Sequence, residues 1–259
     1  METMTLVLVA VAGLVFGSFF NVVIYRLPRG LNLSRPPSTC PGCGARIKPY
    51  DNIPVLSYIL LGGKCRRCRR RISPVYPAVE LLTALGFVLV YFHAGREIGL
   101  DFFAGCLFTG ALIVLGFIDA EHQILPDAIT MPGLVLALAY SFFRDDLTFR
   151  GALLGAVVGG GFLLLVYGAY RLIRRKEGLG MGDVTMMLMV GAALGPARTL
   201  LVLILASLAG AIFGLYLVAR KGKDFQFALP FGTFIAPAAF AAMIWGQPIV
   251  SWYLSRLPR

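Results

Sequence analysis

The sequence predicts an all-α polytopic membrane protein, with about eight transmembrane helices and a small four-cysteine domain inserted between helices 1 and 2. Three observations carry that prediction. The 259 residues are 58% hydrophobic and 14% charged, with a mean hydropathy of +0.79, whereas an ordinary globular chain is roughly 45–50% apolar and about 25% charged. The apolar residues fall in continuous runs and not in the two-residue alternation of barrel strands. One long polar stretch near the N-terminus, carrying four of the five cysteines, interrupts them. The apolar excess excludes a soluble enzyme, a secreted disulfide scaffold and a disordered chain.

A span needs about 20 apolar residues. The first run, Met4 to Ile24, meets this with no basic residue before it and no small-residue cleavage site after it, so it reads as a retained anchor and not a signal peptide. The runs that follow are 76–94, 100–118, 128–143, 151–173, 179–195, 199–219 and 230–254. Of these, 128–143 is short and 179–195 contains Asp183 and several glycines, so these two depart furthest from a regular span. Gly151, Gly155 and Gly159 stand at the spacing of close helix packing and not of a phosphate-binding loop.

Net charge is +11, which in a soluble protein would suggest a nucleic-acid partner. Its distribution decides otherwise. Eleven of the 24 basic residues lie between Arg26 and Arg71, where Asp51 is the sole acid. Cytoplasmic loops collect Lys and Arg. With the 26–75 segment inside, eight spans place 18 basic residues on the cytoplasmic side and six outside (Arg96, Arg144, Arg150, Arg198, Arg256 and Arg259), with both termini outside. A seven-span arrangement moves Arg220, Lys221 and Lys223 outside and fits less well.

Cys40-Pro-Gly-Cys43 and Cys65-Arg-Arg-Cys68 form two CxxC pairs. Paired thiolates on two tight turns are the usual way to build a tetrahedral four-cysteine zinc site. In the reducing cytoplasm disulfides are disfavoured, which leaves a metal as the reason for four cysteines in a segment with few core-forming residues. A redox role is the competing reading. Within the zinc reading the closed four-cysteine shell points to a structural metal, not a catalytic one. Cys106, inside an apolar run, reads as packing. Arg66, Arg67, Arg69, Arg70 and Arg71 crowd the second pair; a juxtamembrane basic cluster is explained by orientation and by anionic membrane lipids more simply than by nucleic acid.

Ionisable groups inside a spanning helix cost several kcal/mol and mark functional candidates. Two aspartates qualify. Asp119 ends the third run and Asp183, in Gly180-Met181-Gly182-Asp183, lies near the start of the sixth, so alternating topology brings both to the cytoplasmic end. If the sixth helix begins near Gly178, Asp183 sits about five residues in, roughly 7 Å below the boundary. Two carboxylates sharing a partly dry site cannot both ionise easily. One can then activate water while the other, protonated, polarises a peptide carbonyl, which is aspartic-protease chemistry. Gly180 and Gly182 would admit an extended substrate backbone. The bland alternative is that Asp183 caps a helix or pairs with Arg175 or Lys176. Glu80 stands at similar depth and reads first as a partner of the arginines before its helix. Asp127 reads as the N-cap of the fourth run, and Glu121 and His122 as exposed loop residues. With two histidines, no HExxH and no GxSxG, zinc-protease and Ser–His chemistry lack their parts.

Taken together, the residues resemble the type IV prepilin peptidases, the bifunctional leader peptidases with N-methyltransferase activity. The resemblance covers nearly the whole chain. It runs through Gly17-Ser18-Phe19, Asn21 to Pro28, the two CxxC pairs, Tyr50 to Tyr58 and Tyr76-Pro77-Ala78-Val79-Glu80. It continues through Ile118-Asp119 to Leu125-Pro126-Asp127, the GxGD ending at Asp183, and Pro230-Phe231-Gly232. It implies that Asp119 and Asp183 are the catalytic pair of a GxGD aspartic endopeptidase in the bacterial inner membrane. The implied substrates are type IV prepilins or type II secretion pseudopilins, cleaved after a glycine at the cytoplasmic face. Methylation of the new N-terminus with S-adenosylmethionine as donor is implied to follow. No residues are assigned to the methyl donor, because no Rossmann-like glycine fingerprint is present. Asp51 and Thr233 stand where other residues are common in that family, and neither is expected to touch the pair.

The chain accordingly divides into a first transmembrane helix (1–25), a cytoplasmic four-cysteine zinc domain (26–75) and a transmembrane aspartic protease core (76–259). The reading from another class is a polytopic transporter whose intramembrane aspartates relay protons or bind a cation, with the zinc domain as regulator. No inverted repeat of discontinuous helices supports it.

Overall fold

A helix accounts for every apolar run. In the computed structural model, which describes residues 2–174, 180–221 and 229–256, the long elements are α1 (Glu2–Arg26), α3 (Val75–His93), α4 (Leu100–His122), α6 (Phe149–Arg174), α8 (Pro196–Lys221) and α9 (Gly232–Arg256). The short ones are α2 (Leu56–Leu60), α5 (Asp127–Tyr140) and α7 (Met181–Leu194). Six helices among the described residues are long and apolar enough to cross a membrane. About eight spans were expected from the runs, with those over 128–143 and 179–195 departing furthest from a regular span. Those two fall short: α5 and α7 have 14 residues each, about 21 Å of helix against roughly 30 Å of hydrocarbon. Local sequence ends them. Pro126 precedes α5 and a 3₁₀ turn at Ser141–Phe143 follows it, while α7 stops at Gly195, with φ at +78°, just before Pro196 opens α8.

The chain forms two compact units, Met1–Val114 and Leu115–Arg259. In the first, α1 packs along α3. Gly13 and Gly17, four residues apart, make this possible: a Cβ on Gly17 would lie 2.6 Å from Cα of Glu80, and one on Gly13 would strike the backbone of Ala84. Buried Asn21 adds a hydrogen bond from Nδ2 to the Tyr76 carbonyl at 3.0 Å. After α1 the chain turns back on Arg26, whose guanidinium donates to the carbonyls of Asn32, Leu33 and Pro36.

In the second unit α7 is the central element, packed against α5, α6, α8 and α9. Met186, Met187, Val190 and Ala192 are fully buried. Gly155 of α6 and Gly191 of α7 bring the two backbones together, because a Cβ on either would meet the other's carbonyl oxygen. A Cβ on Gly159 would lie 2.7 Å from the Met187 carbonyl oxygen. Close packing is thus the role of Gly155 and Gly159, whereas Gly151 faces Leu147 and Thr148 of its own approach to the helix. The far end of α7 leaves open carbonyls. Arg144 donates to the Ala193 carbonyl at 2.7 Å and Arg198 to that of Leu194 at 2.8 Å, and Asp146 bridges both guanidinium groups. The Arg144 guanidinium in turn holds the Asp146 carboxyl below the usual carboxylate range.

The glycine crossing gives a direct test of this packing. Gly155→Ala should lower the thermal unfolding midpoint of the detergent-solubilised protein, by an amount equivalent to about 1–3 kcal/mol of overpacking. The same change at Gly168, which has open space around it, should leave the midpoint unchanged or raise it slightly.

Candidate active site

Two buried carboxylates meet at the ends of different helices. Asp119 lies in the last turn of α4 and is 4% exposed; Asp183 is the third residue of α7 and is 7% exposed. They are close enough for their charges to interact. α7 begins at Met181 and not near Gly178, so Asp183 sits at the helix entrance, two residues from the start and not five. Its carboxylate reaches back to accept the Gly180 N–H at 3.2 Å, the acidic half of a capping box. Capping and proximity to Asp119 therefore coexist. Arg175 and Lys176, the alternative partners considered for Asp183, lie outside the described residues.

The first turn of α9 joins the two acids. The Gly232 N–H interacts electrostatically with the Asp183 carboxylate. Thr233 gives its N–H to Oδ2 of Asp119 at 2.7 Å and its hydroxyl to the same oxygen at 3.0 Å, with the Gly116 carbonyl a longer alternative acceptor at 3.3 Å. The expectation that Thr233 stands away from the pair is thus corrected. The N–H is available because the first N–H groups of a helix have no intrahelical acceptor. A hydrogen bond to a charged group contributes about 1.5–3 kcal/mol, against about 0.3–1 kcal/mol for a helix end. Thr233 therefore outweighs the unfavourable C-terminal end of α4 on which the Asp119 charge sits.

Leu125 closes the floor of this arrangement. A Cβ on Gly182 would lie 2.8 Å from Leu125 Cβ, and one on Gly232 would meet Leu125 Cδ1 at 2.9 Å and Asp119 Oδ2 at 3.1 Å. Gly182 leaves the space that Leu125 fills. Asp127 is the first residue of α5, not its N-cap, a position that Pro126 takes. Its Oδ1 accepts the hydroxyls of Thr185 at 3.1 Å and Thr130 at 3.4 Å, linking α5 to the first turns of α7. Glu121 is exposed, and His122 Nε2 is buried 3.7 Å from its carboxylate. Sequence reasoning missed Gly232, Thr233 and Leu125 as neighbours of the pair, although Pro230-Phe231-Gly232 marked the segment.

Glu80 belongs to the first unit. It is buried, and its hydrogen bonds come from the Val55 N–H at 2.7 Å and the Ser18 hydroxyl, not from the arginines before α3. It pins the stretch after the first CxxC pair to α3, at a residue with φ of +59°.

The four cysteines converge. Their sulfur atoms all lie within 4.8 Å of one another, and Cys40 Sγ and Cys68 Sγ are 3.8 Å apart; the edge of a zinc–thiolate tetrahedron with bonds of about 2.3 Å is roughly 3.8 Å. Each pair sits on the same kind of turn. The backbone N–H of Cys40 donates to the Ala45 carbonyl and that of Cys65 to the Arg70 carbonyl, while Gly44 and Arg69 occupy the equivalent left-handed position at φ of +68° and +59°. Backbone N–H groups of Cys68 and Arg67 pull the Cys65 thiol down to about 6, and the nearby Cys68 thiol, despite the Arg70 N–H, is pushed up to about 11 by desolvation and the neighbouring thiols, so Cys65 ionises first of the two. Arg66 of the basic cluster forms a bidentate pair with Asp51 at 2.6–3.0 Å, which lowers the Asp51 carboxyl. Beside the second pair lies an open cavity of 570 Å³ bordered by Tyr58, Gly63, Lys64, Arg71 and Pro74. Cys106 is buried in α4, in keeping with packing.

Comparison with known proteins covers both halves of the chain. Residues 11–94 match the bacterial peptidase A24 N-terminal domain, and residues 106–215 match the type IV leader peptidase family. Similar curated proteins carry the name prepilin leader peptidase/N-methyltransferase. The one from Pseudomonas aeruginosa is 38% identical over 93% of this chain and 91% of its own length, and that from Aeromonas salmonicida is 38% identical over 96% and 94%. The protein of Neisseria gonorrhoeae is 38% identical over 85% of both chains. No solved structure matches the chain significantly. With similarity of this extent, and with six long apolar helices that make it a multi-pass membrane protein, the chain belongs to the type IV leader peptidase family.

Proposed function

We propose that this protein removes the basic leader peptide from type IV prepilins or type II secretion pseudopilins and then methylates the new N-terminal residue. The observation that carries the proteolytic half is the pairing of Asp119 and Asp183, two buried acids from different helices held by one turn, Gly232–Thr233. The names of the relatives support both halves. Asp119 and Asp183 act as the catalytic dyad at the cytoplasmic face of the bacterial inner membrane. The ionised carboxylate takes a proton from water, and the resulting hydroxide bonds to the scissile carbonyl carbon. The protonated partner passes its proton to the carbonyl oxygen. The C–N bond then breaks as the first acid returns its proton to the departing amine, and the second recovers its own from the former carbonyl oxygen. Both acids end as they began.

The finer organisation belongs to the same proposal. The chain comprises a first transmembrane helix at 1–25, a cytoplasmic zinc domain at 26–75 and a transmembrane protease core at 76–259, with eight helical segments in the membrane and both termini outside. The 18 to six division of basic residues supports this orientation. Membrane lipids, not nucleic acid, face the arginines of the second cysteine pair. Cys40, Cys43, Cys65 and Cys68 hold a structural Zn²⁺, which ties the two turns together where few side chains are buried. S-adenosylmethionine supplies the methyl group. The transmembrane core already holds the parts for proteolysis and among its described residues shows no evident donor site, which supports placing methyl transfer in the cytoplasmic domain.

Three measurements test these statements. Asp119→Asn and Asp183→Asn should each lower prepilin cleavage at least about a hundredfold while the protein remains inserted, whereas Asp127→Asn, whose side-chain oxygen can still accept from Thr185, should retain much of it. Parental cleavage by either dyad variant would refute the assignment. Elemental analysis should find one zinc per chain in freshly reduced protein, lost on Cys→Ser change in either pair; metal-free parental protein would remove the site. Replacing the segment from Arg26 to Ile72 with a short flexible linker should abolish methyl transfer from labelled S-adenosylmethionine and spare some cleavage. Undiminished methylation would move that activity to the helices.

A further inference from the structure

We propose that Thr233 divides the labour of the pair: its two hydrogen bonds to one oxygen make Asp119 the ionised member, which takes the proton from water, and leave Asp183 as the member that carries the proton. The inference rests on the reading of Asp119 and Asp183 as the reacting acids, and it goes beyond that reading by giving each one role and naming a positioning residue.

The asymmetry lies in the donors. Oδ2 of Asp119 receives an N–H at 2.7 Å and a hydroxyl at 3.0 Å. Oδ2 of Asp183 receives the Gly180 N–H at 3.2 Å, and the Gly232 N–H interacts with this carboxylate more weakly, outside hydrogen-bond geometry. Hydrogen bonds to a charged acceptor are the short ones, at about 2.7–2.9 Å for N–H donors, so the Thr233 N–H has the length of a bond to a carboxylate. An oxygen that accepts two donors is a poor place for a proton. Helix ends do not supply the asymmetry: Asp183 lies at the N-terminus of α7 and Asp119 against that of α9, but Asp119 also sits on the C-terminal end of α4, which opposes its charge and which the Thr233 hydrogen bonds must outweigh. The Thr233 hydroxyl is the donor with no counterpart at Asp183.

Other titratable groups do not supply the asymmetry. The first turn of α9 contains none. From α7 the group facing Asp119 is Asp183 itself. On α4, Glu121 is exposed and His122 lies beside it. At the start of α5, Asp127 is engaged by Thr130 and Thr185. Among the described residues no arginine or lysine forms an ion pair with either acid.

The side chain at 233 can be changed without disturbing the helix. Valine has the shape of threonine and lacks the hydroxyl. Proline lacks the N–H as well, and the first turn of a helix accepts it because no intrahelical bond is lost there. Serine keeps both donors. The test is the pH dependence of kcat/KM for prepilin cleavage by the full-length protein in detergent, for the parent and for Thr233→Ser, Thr233→Val and Thr233→Pro, with Asp119→Asn and Asp183→Asn alongside. The acidic limb reports ionisation of the base. We expect Thr233→Val to move that limb up by about one pH unit with KM unchanged, Thr233→Pro to move it at least as far, and Thr233→Ser to match the parent. An unshifted limb in Thr233→Val overturns the proposal, whether cleavage is parental or uniformly reduced, since a packing role alone would leave the profile's shape intact. A shift confined to the basic limb overturns it too, by placing the effect on the acid. Should Thr233→Pro fail to insert, Thr233→Val decides alone. Cleavage by Asp119→Asn or Asp183→Asn would instead overturn the dyad itself, which separates the two failures.

Discussion

Two carboxylates buried side by side must be held by hydrogen bonds or they will not stay, and that constraint organises the second unit of this protein. Neither acid has a basic partner among the described residues. Both are held instead by N–H groups that helix ends leave free, those of Gly180, Gly232 and Thr233. Each needs a helix to begin at that place. The start of α7 at Met181 and that of α9 at Gly232 fit this constraint, because a helix begun a turn earlier would satisfy the Gly180 N–H, or those of Gly232 and Thr233, within its own spiral.

Packing keeps the helix ends where the acids need them. α7 carries Asp183 at one end, and the Arg144–Asp146–Arg198 cluster grips the carbonyls at the other. Between these points the crossing of Gly155 with Gly191 lets backbone touch backbone, which leaves α7 little room to slide or turn. Leu125 then sets the spacing at the acidic end by filling the volumes that Gly182 and Gly232 leave open. Gly182 and Gly232 are consequently packing residues against Leu125.

Much of this was legible in the sequence, and the reasons for the remainder are specific. Asp119 and Asp183 stood out because a charge in an apolar run is costly, and the cysteine pairs because two CxxC turns share one chemistry. Six of the eight runs became helices of spanning length; α5 and α7 did not, since Pro126 and the 3₁₀ turn at Ser141–Phe143 bound the one, and the N-cap at Gly180 and the Gly195-Pro196 step bound the other. Thr233 was invisible. Its role depends on a backbone N–H and on a contact with a residue 114 positions away, neither of which has a sequence period. Glu80 was misread for a related reason: proximity in sequence to arginines suggested an ion pair, whereas the fold offers it the N–H of Val55.

The central claim is that water, activated by one acid of the pair, attacks the substrate directly, and single-turnover cleavage in ¹⁸O-labelled water tests it without any substitution. Direct attack places one labelled oxygen in the new carboxyl group of the released leader and none in the protein. If a carboxylate instead attacked the peptide bond, an aspartyl–leader anhydride would form; water entering at its aspartyl carbon would label Asp119 or Asp183 and leave the leader carboxyl unlabelled, while hydroxylamine added during turnover would trap the leader as a hydroxamate whichever carbon water enters. Label in the leader alone with no leader hydroxamate is the predicted result, and label in either aspartate, or a leader hydroxamate, would contradict it.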